Sequence, residues 1–489
     1  MVERLEADLC VIGGGPGGLS VAAGASQMGA SVVLFEAGEM GGDCLNHGCV
    51  PSKALLAAGK ARARQKGDAR FGITSEPGIV DFEAVKAHVR GVIDAIAPMD
   101  SVERFEGLGV RVVQAPARFV GPRTVEGGDV RVTARRIVVA TGSTPMVPPV
   151  PGLSDGSYLT NETIFGVNSL PEHLIVMGGG PIGIELAQAF RNLGSRVTVV
   201  ELARIMAKDD PELVDIVRCR LLEQGLDVLE GVAIRQVAYP KGGGVRVTLS
   251  VSGEGAAWEI VGSHLLVAAG RQAMVQGLNL EAAGIEPTRA GIAVDQGLRT
   301  SNRRVYAIGD VVGPYQFTHM AGYHAGLVIR SALFRLPAKV ECRAVPWVTY
   351  SDPELASVGL SEAEARNTHG QIQVLRWPFA ENDRAQVECD TRGMVKVIIT
   401  PKGRILGATI VGGHAGELIQ IWCLAIQQKL KISAMAGVVL PYPTLGEANK
   451  RAAGGYYTPK LFSERIRKIV RFLAHFDRLL GAGDDKCVG

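Results

Sequence analysis

Cys44 and Cys49 stand five residues apart in the run Gly41-Gly42-Asp43-Cys44-Leu45-Asn46-His47-Gly48-Cys49-Val50-Pro51-Ser52-Lys53. On the first turn of a helix, two cysteines at that spacing can close a strained disulfide, and the positive end of the helix dipole lowers the pKa of the thiolate released from it. The spacing points to a dithiol that cycles between bonded and open forms. The other six cysteines, Cys10, Cys219, Cys342, Cys389, Cys423 and Cys487, are scattered along the chain, unlike those of a disulfide scaffold or a zinc ribbon. They read as structural, and no metal-ligating set is expected.

The elements that must position this pair form an internal repeat. Residues 7–12, ADLCVI, read as a buried strand leading into Gly13-Gly14-Gly15-Pro16-Gly17-Gly18, a helical stretch and a second strand ending in Glu36. Residues 174–177, LIVM, lead likewise into Gly178-Gly179-Gly180-Pro181-Ile182-Gly183, a helix and a strand ending in Glu201. In each copy the acid follows the first glycine by 23 residues. Such a strand, glycine turn, helix, strand and acid make a dinucleotide site: glycines permit the tight turn and the close approach of a pyrophosphate, and the helix N-terminus offers amide donors and a positive dipole. Two such sites on one chain imply electron transfer between their ligands. A carboxylate at Glu201 hydrogen-bonds a ribose 2′-hydroxyl and repels a 2′-phosphate, which favours NADH over NADPH, with Arg204 nearby as a partial offset.

Further punctuation sets the domain limits. The strand IVVATGSTP at 137–145, holding Thr141 and Gly142, closes the first unit, and LLVAAGR at 265–271, holding Gly270, closes the second. VYAIGD at 305–310 is a buried strand ending in Asp310, placed to contact a cofactor ribityl chain or phosphate. From about residue 341 alternating strands and amphipathic helices suggest an α+β module. The expected fold is α/β, with two Rossmann-like dinucleotide-binding domains and an α+β dimerisation domain. The expected limits are 1–147 with 270–340 for one dinucleotide domain, 148–269 for the other, 341–455 for the dimerisation domain and 456–489 for a basic amphipathic tail.

Bulk properties fit this plan. A chain of 489 residues is too long for one hydrophobic core. Hydrophobic residues make up 47% and charged residues 21%, as in an ordinary soluble protein, while the 62 glycines fit many close backbone approaches. A net charge of +3, spread along the chain, argues against nucleic acid. Neither a secretory leader nor a long apolar span is apparent, so a cytoplasmic location is expected.

The cysteine run, both glycine fingerprints, ATGSTP, AIGD and the stretch SDPELASVGLSEAEA resemble the pyridine nucleotide-disulfide oxidoreductases, the family of dihydrolipoyl dehydrogenase, glutathione reductase and mercuric reductase, over about residues 5–455. The resemblance implies bound FAD, an NAD cofactor and a homodimer whose site draws on both subunits. It implies that Cys49 faces the flavin and that Cys44 is the interchange thiol facing substrate. Lys53 resembles the family lysine near flavin N5, and Glu185 its ion-pair partner. Gly42, Ala117 and His319 are carried over as cofactor contacts beside those already named.

One departure is informative. Family members acting on dithiols carry His-Pro-Thr with Glu five residues after the His, whereas here the stretch reads Pro441-Tyr442-Pro443-Thr444-Leu445-Gly446-Glu447. A phenol titrates near pH 10 against about 6.5 for imidazole, so Tyr442 is a poor proton shuttle at neutral pH. Mercuric reductases also place tyrosine here, since thiolate exchange at a soft metal needs no such base. AGELIQ at 415–420 looks like the same subgroup, but no heavy-metal-binding domain is expected ahead of the first strand, and Cys487 stands where that subgroup carries an adjacent pair, so metal delivery by the tail is not expected. The expected acceptor is a soft metal or thiol-linked substrate, with dihydrolipoyl dehydrogenase as the rival. His47, His319 and His324 remain as alternative bases, though packing or surface roles suit them better.

Residues 459–480 place Leu461, Phe462, Ile466, Ile469, Val470, Leu473, Phe476 and Leu480 at helical spacing among Arg465, Arg467, Lys468, Arg471 and Arg478. Such a helix either packs on the dimer or docks on an anionic membrane surface or protein partner. The second use would make the chain the flavoprotein component of a membrane-associated electron-transfer assembly.

Overall fold

The computed structural model describes residues 2–65, 67–74, 78–251 and 255–481. The chain forms two compact units. The first comprises Met1–Lys208, Arg218–Cys342 and Thr349–Ser351, and the second comprises Asp209–Val217, Arg343–Val348 and Asp352–Gly489.

In the first unit each glycine turn leaves the end of a central parallel strand. Glu3–Ile12 lies between Val32–Glu36 and Val130–Val139, with Val110–Gln114 outside the former and Val305–Ala307 pairing the C-terminal end of the latter. Thr124–Gly127 and Arg118–Gly121 complete this seven-stranded sheet. The second repeat forms a four-stranded parallel sheet in the order Asp227–Glu230, Arg196–Glu201, His173–Met177, His264–Val267. An antiparallel sheet of Val232–Ala238, Val245–Val251 and Ala257–Gly262 stands beside it. Strands covered on both faces read as unbroken apolar runs, and Leu9, Cys10, Val11, Leu174, Ile175 and Val176 are all buried. Burial pushes the Cys10 thiol far up, so it stays protonated as a packing residue.

The first strand begins four residues before the apolar run shows. Glu3–Glu6 pair with Val130–Thr133 while Glu3, Arg4 and Glu6 stay exposed and only Leu5 is partly buried, so hydrophobicity marks only the covered half. Likewise 137–145 is not one strand. It is the end of Val130–Val139 and a separate Ser143–Pro145, which pairs antiparallel with Arg271–Ala273.

The second unit is a five-stranded sheet in the order Pro346–Thr349, Glu354–Gly359, Ile405–Gly412, Met394–Ile399, Gln373–Pro378. Helices Gln420–Gln427 and Glu447–Gly454 pack on it around Trp422, whose indole donates to Asn449 at 2.8 Å. Lys396, buried in the sheet, holds the segment Asp209–Val217 within this unit. Its ammonium contacts the carboxylates of Asp210, Glu212 and Glu362 at 2.7, 2.8 and 2.9 Å, one for each of its protons.

The tail is helical in two pieces, Thr458–Leu461 and Glu464–Gly481. Leu461, Phe462, Ile469, Val470, Phe472 and Leu473 are exposed. Phe476, Arg478 and Leu480 lie where side chains are not described, and Cys487 lies outside the described residues. Among the described residues no helix is long and apolar enough to cross a membrane.

Candidate active site

The two glycine turns share one geometry, in which three glycines meet three different demands. Gly13 and Gly178 adopt φ of 109° and 111°, and a Cβ on either would strike the carbonyl oxygen of Ala140 or Ala268. A Cβ on Gly18 or Gly183 would strike the carbonyl oxygen of Gly13 or Gly178, so these residues let the helix sit close on its strand. Gly180 faces open space, and Gly15 has only the Cα of Gly42 near it, at 3.9 Å. Space is therefore kept at the second glycine of each turn, at the N-termini of helices Pro16–Gln27 and Pro181–Leu193, as a pyrophosphate requires.

Both acids are fixed by backbone amides. Glu36 accepts from the amides of Gly14 and Gly38, and Glu201 accepts from Gly179 at 2.7 Å and Ala203 at 2.9 Å. Around the first turn, Thr141 donates to the carbonyl of Met274, and the Gly142 carbonyl accepts from the Met274 amide. The Gly270 carbonyl accepts from the Met146 amide. Ala117 lines a cleft of about 370 Å³ with Arg118, Glu126, Gly128 and Gly277. Asp310 accepts from the Ser143 hydroxyl at 2.6 Å, and burial raises its carboxyl above the usual range.

Cys44 lies in the short helix Gly42–Asn46, and Cys49 opens the helix Cys49–Arg64. Both are free thiols in this structure. The Thr318 hydroxyl, at the start of helix Thr318–Ala332, donates to Cys44 Sγ at 3.1 Å and lies 3.6 Å from Cys49 Sγ. The sulfurs are unequal. The hydrogen bond from Cys44, with help from Thr318 and Lys53, lowers Cys49 to about 6 against the pull of burial. Cys44, giving that bond, burial and the charges of Cys49 and Asp43 behind it, is pushed far up. The open pair is therefore biased toward a thiol at Cys44 and a thiolate at Cys49.

Lys53, one turn along the cysteine helix, contacts Glu185 at 2.7 Å. Glu185, buried on the helix of the second glycine turn, also accepts from the Tyr350 amide at 2.8 Å, and the Tyr350 ring lies 4.6 Å from the lysine ammonium. Burial opposes the charge on Lys53, but Glu185 and the neighbouring Cys49 outweigh it and raise its pKa. Thr318 and Tyr350 carry no motif that sequence reasoning could have used.

In the C-terminal unit Tyr442 is exposed, and its phenol donates to Asp383 at 2.8 Å. Asp383 holds the phenol above its ordinary value, with Glu447 adding to the effect. Glu447 itself is engaged by Arg451 on its own helix at 2.9 Å. Of the histidines weighed as bases, His324 is buried, accepts from the Gly309 amide at 3.2 Å and is lowered to about 4 by burial. It is a neutral packing group. His319 stacks on Phe317 with ring centroids 5.2 Å apart. The His47 carbonyl accepts from Asn161 at 3.3 Å. Among the described residues no group of three or more His, Cys, Asp or Glu side chains could hold a metal ion.

A family model for the pyridine nucleotide-disulphide oxidoreductases matches residues 7–325, and the model for their dimerisation domain matches residues 345–453. A mercuric reductase of Streptomyces lividans is 36% identical over 454 residues, covering 91% of this chain and 95% of that protein. A dihydrolipoyl dehydrogenase of Geobacillus stearothermophilus is 35% identical over 458 residues, covering 92% and 96%. Among solved structures, the Cu(II) complex of the HOCl-induced flavoprotein disulfide reductase RclA of Escherichia coli superposes with a TM-score of 0.82 at 26% identity, covering 92% of this chain and 99% of that one.

The unequal sulfurs give a testable pH dependence. A lowered Cys49 is fully thiolate well above pH 6 and loses that form as pH falls through about 6. Alkylation of Cys49 in the dithiol protein should follow that profile. Lys53→Met removes a cation that lowers Cys49, so the profile should move to higher pH; Glu185→Gln removes an anion that raises it, so the profile should move to lower pH. Quantitative labelling at Cys49, read by mass spectrometry across pH 4–9, checks both signs.

Proposed function

The chain belongs to the pyridine nucleotide-disulphide oxidoreductase family of FAD-dependent, NAD(P)H-linked enzymes, and on that premise we propose that it passes electrons from NADH through the Cys44–Cys49 pair to a soft-metal or thiol-linked acceptor. Its dimerisation domain makes it a homodimer. We assign FAD to 1–147 with 270–340, the nicotinamide nucleotide to 148–269, the dimer interface to 341–455 and a docking role to 456–489.

When bound, FAD relays two electrons between the nicotinamide and the disulfide. The backbone N–H groups around Gly13, Gly15 and Gly18 would hold its pyrophosphate, with Pro16 starting the helix whose N-terminus points there, and Glu36 would hold its ribose. Gly42, Ala117, Thr141, Gly142, Gly270, Asp310 and His319 complete the cradle. Gly178, Gly180, Gly183 and Glu201 do the same for NADH. Lys53, steadied by Glu185, offsets negative charge beside the flavin. Cys49 would face the cofactor, and Cys44, once its proton has left to solvent, would exchange with the acceptor.

The observation that carries the choice of acceptor is the Tyr442 phenol, donated to Asp383 and held protonated at neutral pH. Such a group is a poor base for a dithiol, whereas a thiophilic metal ion displaces the Cys44 proton to solvent as it binds and needs no positioned base. The mercuric reductase relative and the copper-bound RclA neighbour support the same acceptor chemistry.

Wild-type protein should therefore reduce Hg(II) with NADH and turn over dihydrolipoamide slowly. Tyr442→His combined with Arg451→Ala, which frees Glu447 to orient the imidazole, should raise dithiol turnover by about a hundredfold. Fast wild-type dihydrolipoamide oxidation would instead favour a dihydrolipoyl dehydrogenase. The Glu201 carboxylate should give a kcat/KM preference for NADH of about tenfold, or 1.4 kcal/mol, in steady-state flavin reduction; an NADPH preference would show that Arg204 dominates.

A second reading is favoured by the exposed tail helix, whose Ile469, Val470 and Leu473 lie opposite Arg467, Lys468 and Arg471. It makes the enzyme the flavoprotein component of a membrane-associated electron-transfer assembly, docked on anionic lipid. Full-length protein should then sediment with phosphatidylglycerol-containing vesicles and not with phosphatidylcholine alone. Arg467→Glu with Arg471→Glu should weaken this binding at least roughly tenfold, and equal binding of both proteins would rule the docking out.

A further inference from the structure

A cluster of polar side chains beneath the cysteine loop is used by none of the steps above. Arg271 opens the strand Arg271–Ala273, and its side chain is largely buried. Its Nε donates to the Ser143 hydroxyl at 2.7 Å and one terminal nitrogen to the Ser143 carbonyl at 2.8 Å. That nitrogen also lies 3.2 Å from the Asp43 carboxylate, and the other donates to the Asn161 side chain at 3.3 Å. Asn161, itself buried, donates to Asp43 at 3.1 Å and to the His47 carbonyl at 3.3 Å. Ser143 passes its own proton toward Asp310.

One guanidinium thus ties together both sides of the cysteine loop. Asp43 immediately precedes Cys44, and His47 lies between Cys44 and Cys49. Asp43 occupies the first turn of the Cys44 helix, one residue before the interchange sulfur, and its charge adds to the effects that disfavour a thiolate there. Arg271 opposes that charge and also the one on Asp310.

The reaction makes this placement matter. A hydride from NAD(P)H carries two electrons and one proton. When these reach the cysteine pair the S–S bond breaks, and two sulfurs share one proton as one thiol and one thiolate. The resting dithiol has its thiolate at Cys49 and its proton on Cys44, and Cys44 must release that proton before it binds a metal ion or attacks a disulfide.

We propose that Asp43 and Arg271 form a positioning pair that decides which of the two sulfurs carries that proton. Asp43 disfavours negative charge on Cys44, and Arg271 sets how strongly it does so while holding the loop in place. The other groups facing the sulfurs are Thr318, shared by both, and Lys53 and Glu185 beside Cys49. The inference rests on reading Cys44 and Cys49 as the redox pair.

The test is competitive alkylation of the reduced flavoprotein at pH 7 with limiting iodoacetamide, with the Cys44 to Cys49 labelling ratio read by mass spectrometry. Asp43→Asn should raise the ratio by about threefold or more, as removal of one partly screened charge allows. Arg271→Gln leaves Asp43 unopposed and should lower it, and the double variant should return to within about twofold of wild type. Loosening of the loop alone would move both single variants in the same direction. That result, or unchanged ratios, overturns the proposal. Should Arg271→Gln fail to retain flavin, Arg271→Lys, which keeps the charge but loses the fork, should lower the ratio less, and a raised ratio there would overturn it equally. Labelling repeated on oxidised protein separates the two claims: if Cys44 and Cys49 are not protected by oxidation, the redox-pair reading itself fails.

Discussion

The contact between Lys53 and Glu185 is the constraint on which the rest of the site depends. One partner lies on the cysteine helix and the other on the helix that follows the second glycine turn, so the ion pair ties the redox loop to the second dinucleotide half beside the close packing of the two helices, where a Cβ on Gly59 would meet Ala189 and Asn192. Glu185 is buried and satisfied by the ammonium and the Tyr350 amide. Removing the lysine would leave a buried carboxylate short of a partner, a cost of roughly 2–4 kcal/mol once the partial exposure of Lys53 is allowed for. The same ammonium lowers the Cys49 thiol, so one interaction serves both architecture and chemistry.

Around that pair the structure builds an asymmetry into two chemically identical side chains. Cys49 starts a long helix beside a cation and accepts a hydrogen bond; Cys44 donates that bond and follows an acid. The dithiol is thus biased toward a thiolate at Cys49 and a thiol at Cys44 before any substrate arrives. A thiolate that faces a cofactor and a thiol that faces an acceptor are different tools. On the proposed function, the phenol of Tyr442, held above its ordinary value by Asp383, suits acceptors that displace a thiol proton without a positioned base.

Much of this could be read in the sequence, because glycine is irreplaceable where a Cβ would hit a carbonyl. Gly13, Gly18, Gly178 and Gly183 announce the turns, and the acids Glu36 and Glu201 close them. The cysteines and Lys53 are local in sequence and were equally legible. Thr318, by contrast, is 274 residues from Cys44 and reaches it only through the fold. Tyr350, Asn161 and Arg271 likewise owe their places to tertiary packing. The departure at Tyr442 was visible, but its partner Asp383 lies 59 residues away, at the start of the helix Asp383–Val387. The Arg451 contact that engages Glu447 was one helical turn from it and could have been found from the i, i+4 spacing. In the tail, helical periodicity was clear, and the interruption before Glu464 was not, since Phe462 continues the apolar pattern.

The central claim, a thiolate at Cys49 lying against the flavin with Cys44 as its exchange partner, is tested most directly by absorption spectroscopy under anaerobic reduction with one equivalent of NADH. Wild-type protein should develop a long-wavelength thiolate-to-flavin band. Cys49→Ser should retain FAD without that band at any stage, and Cys44→Ser should show it before any reductant is added. Identical spectra from all three proteins would contradict the account.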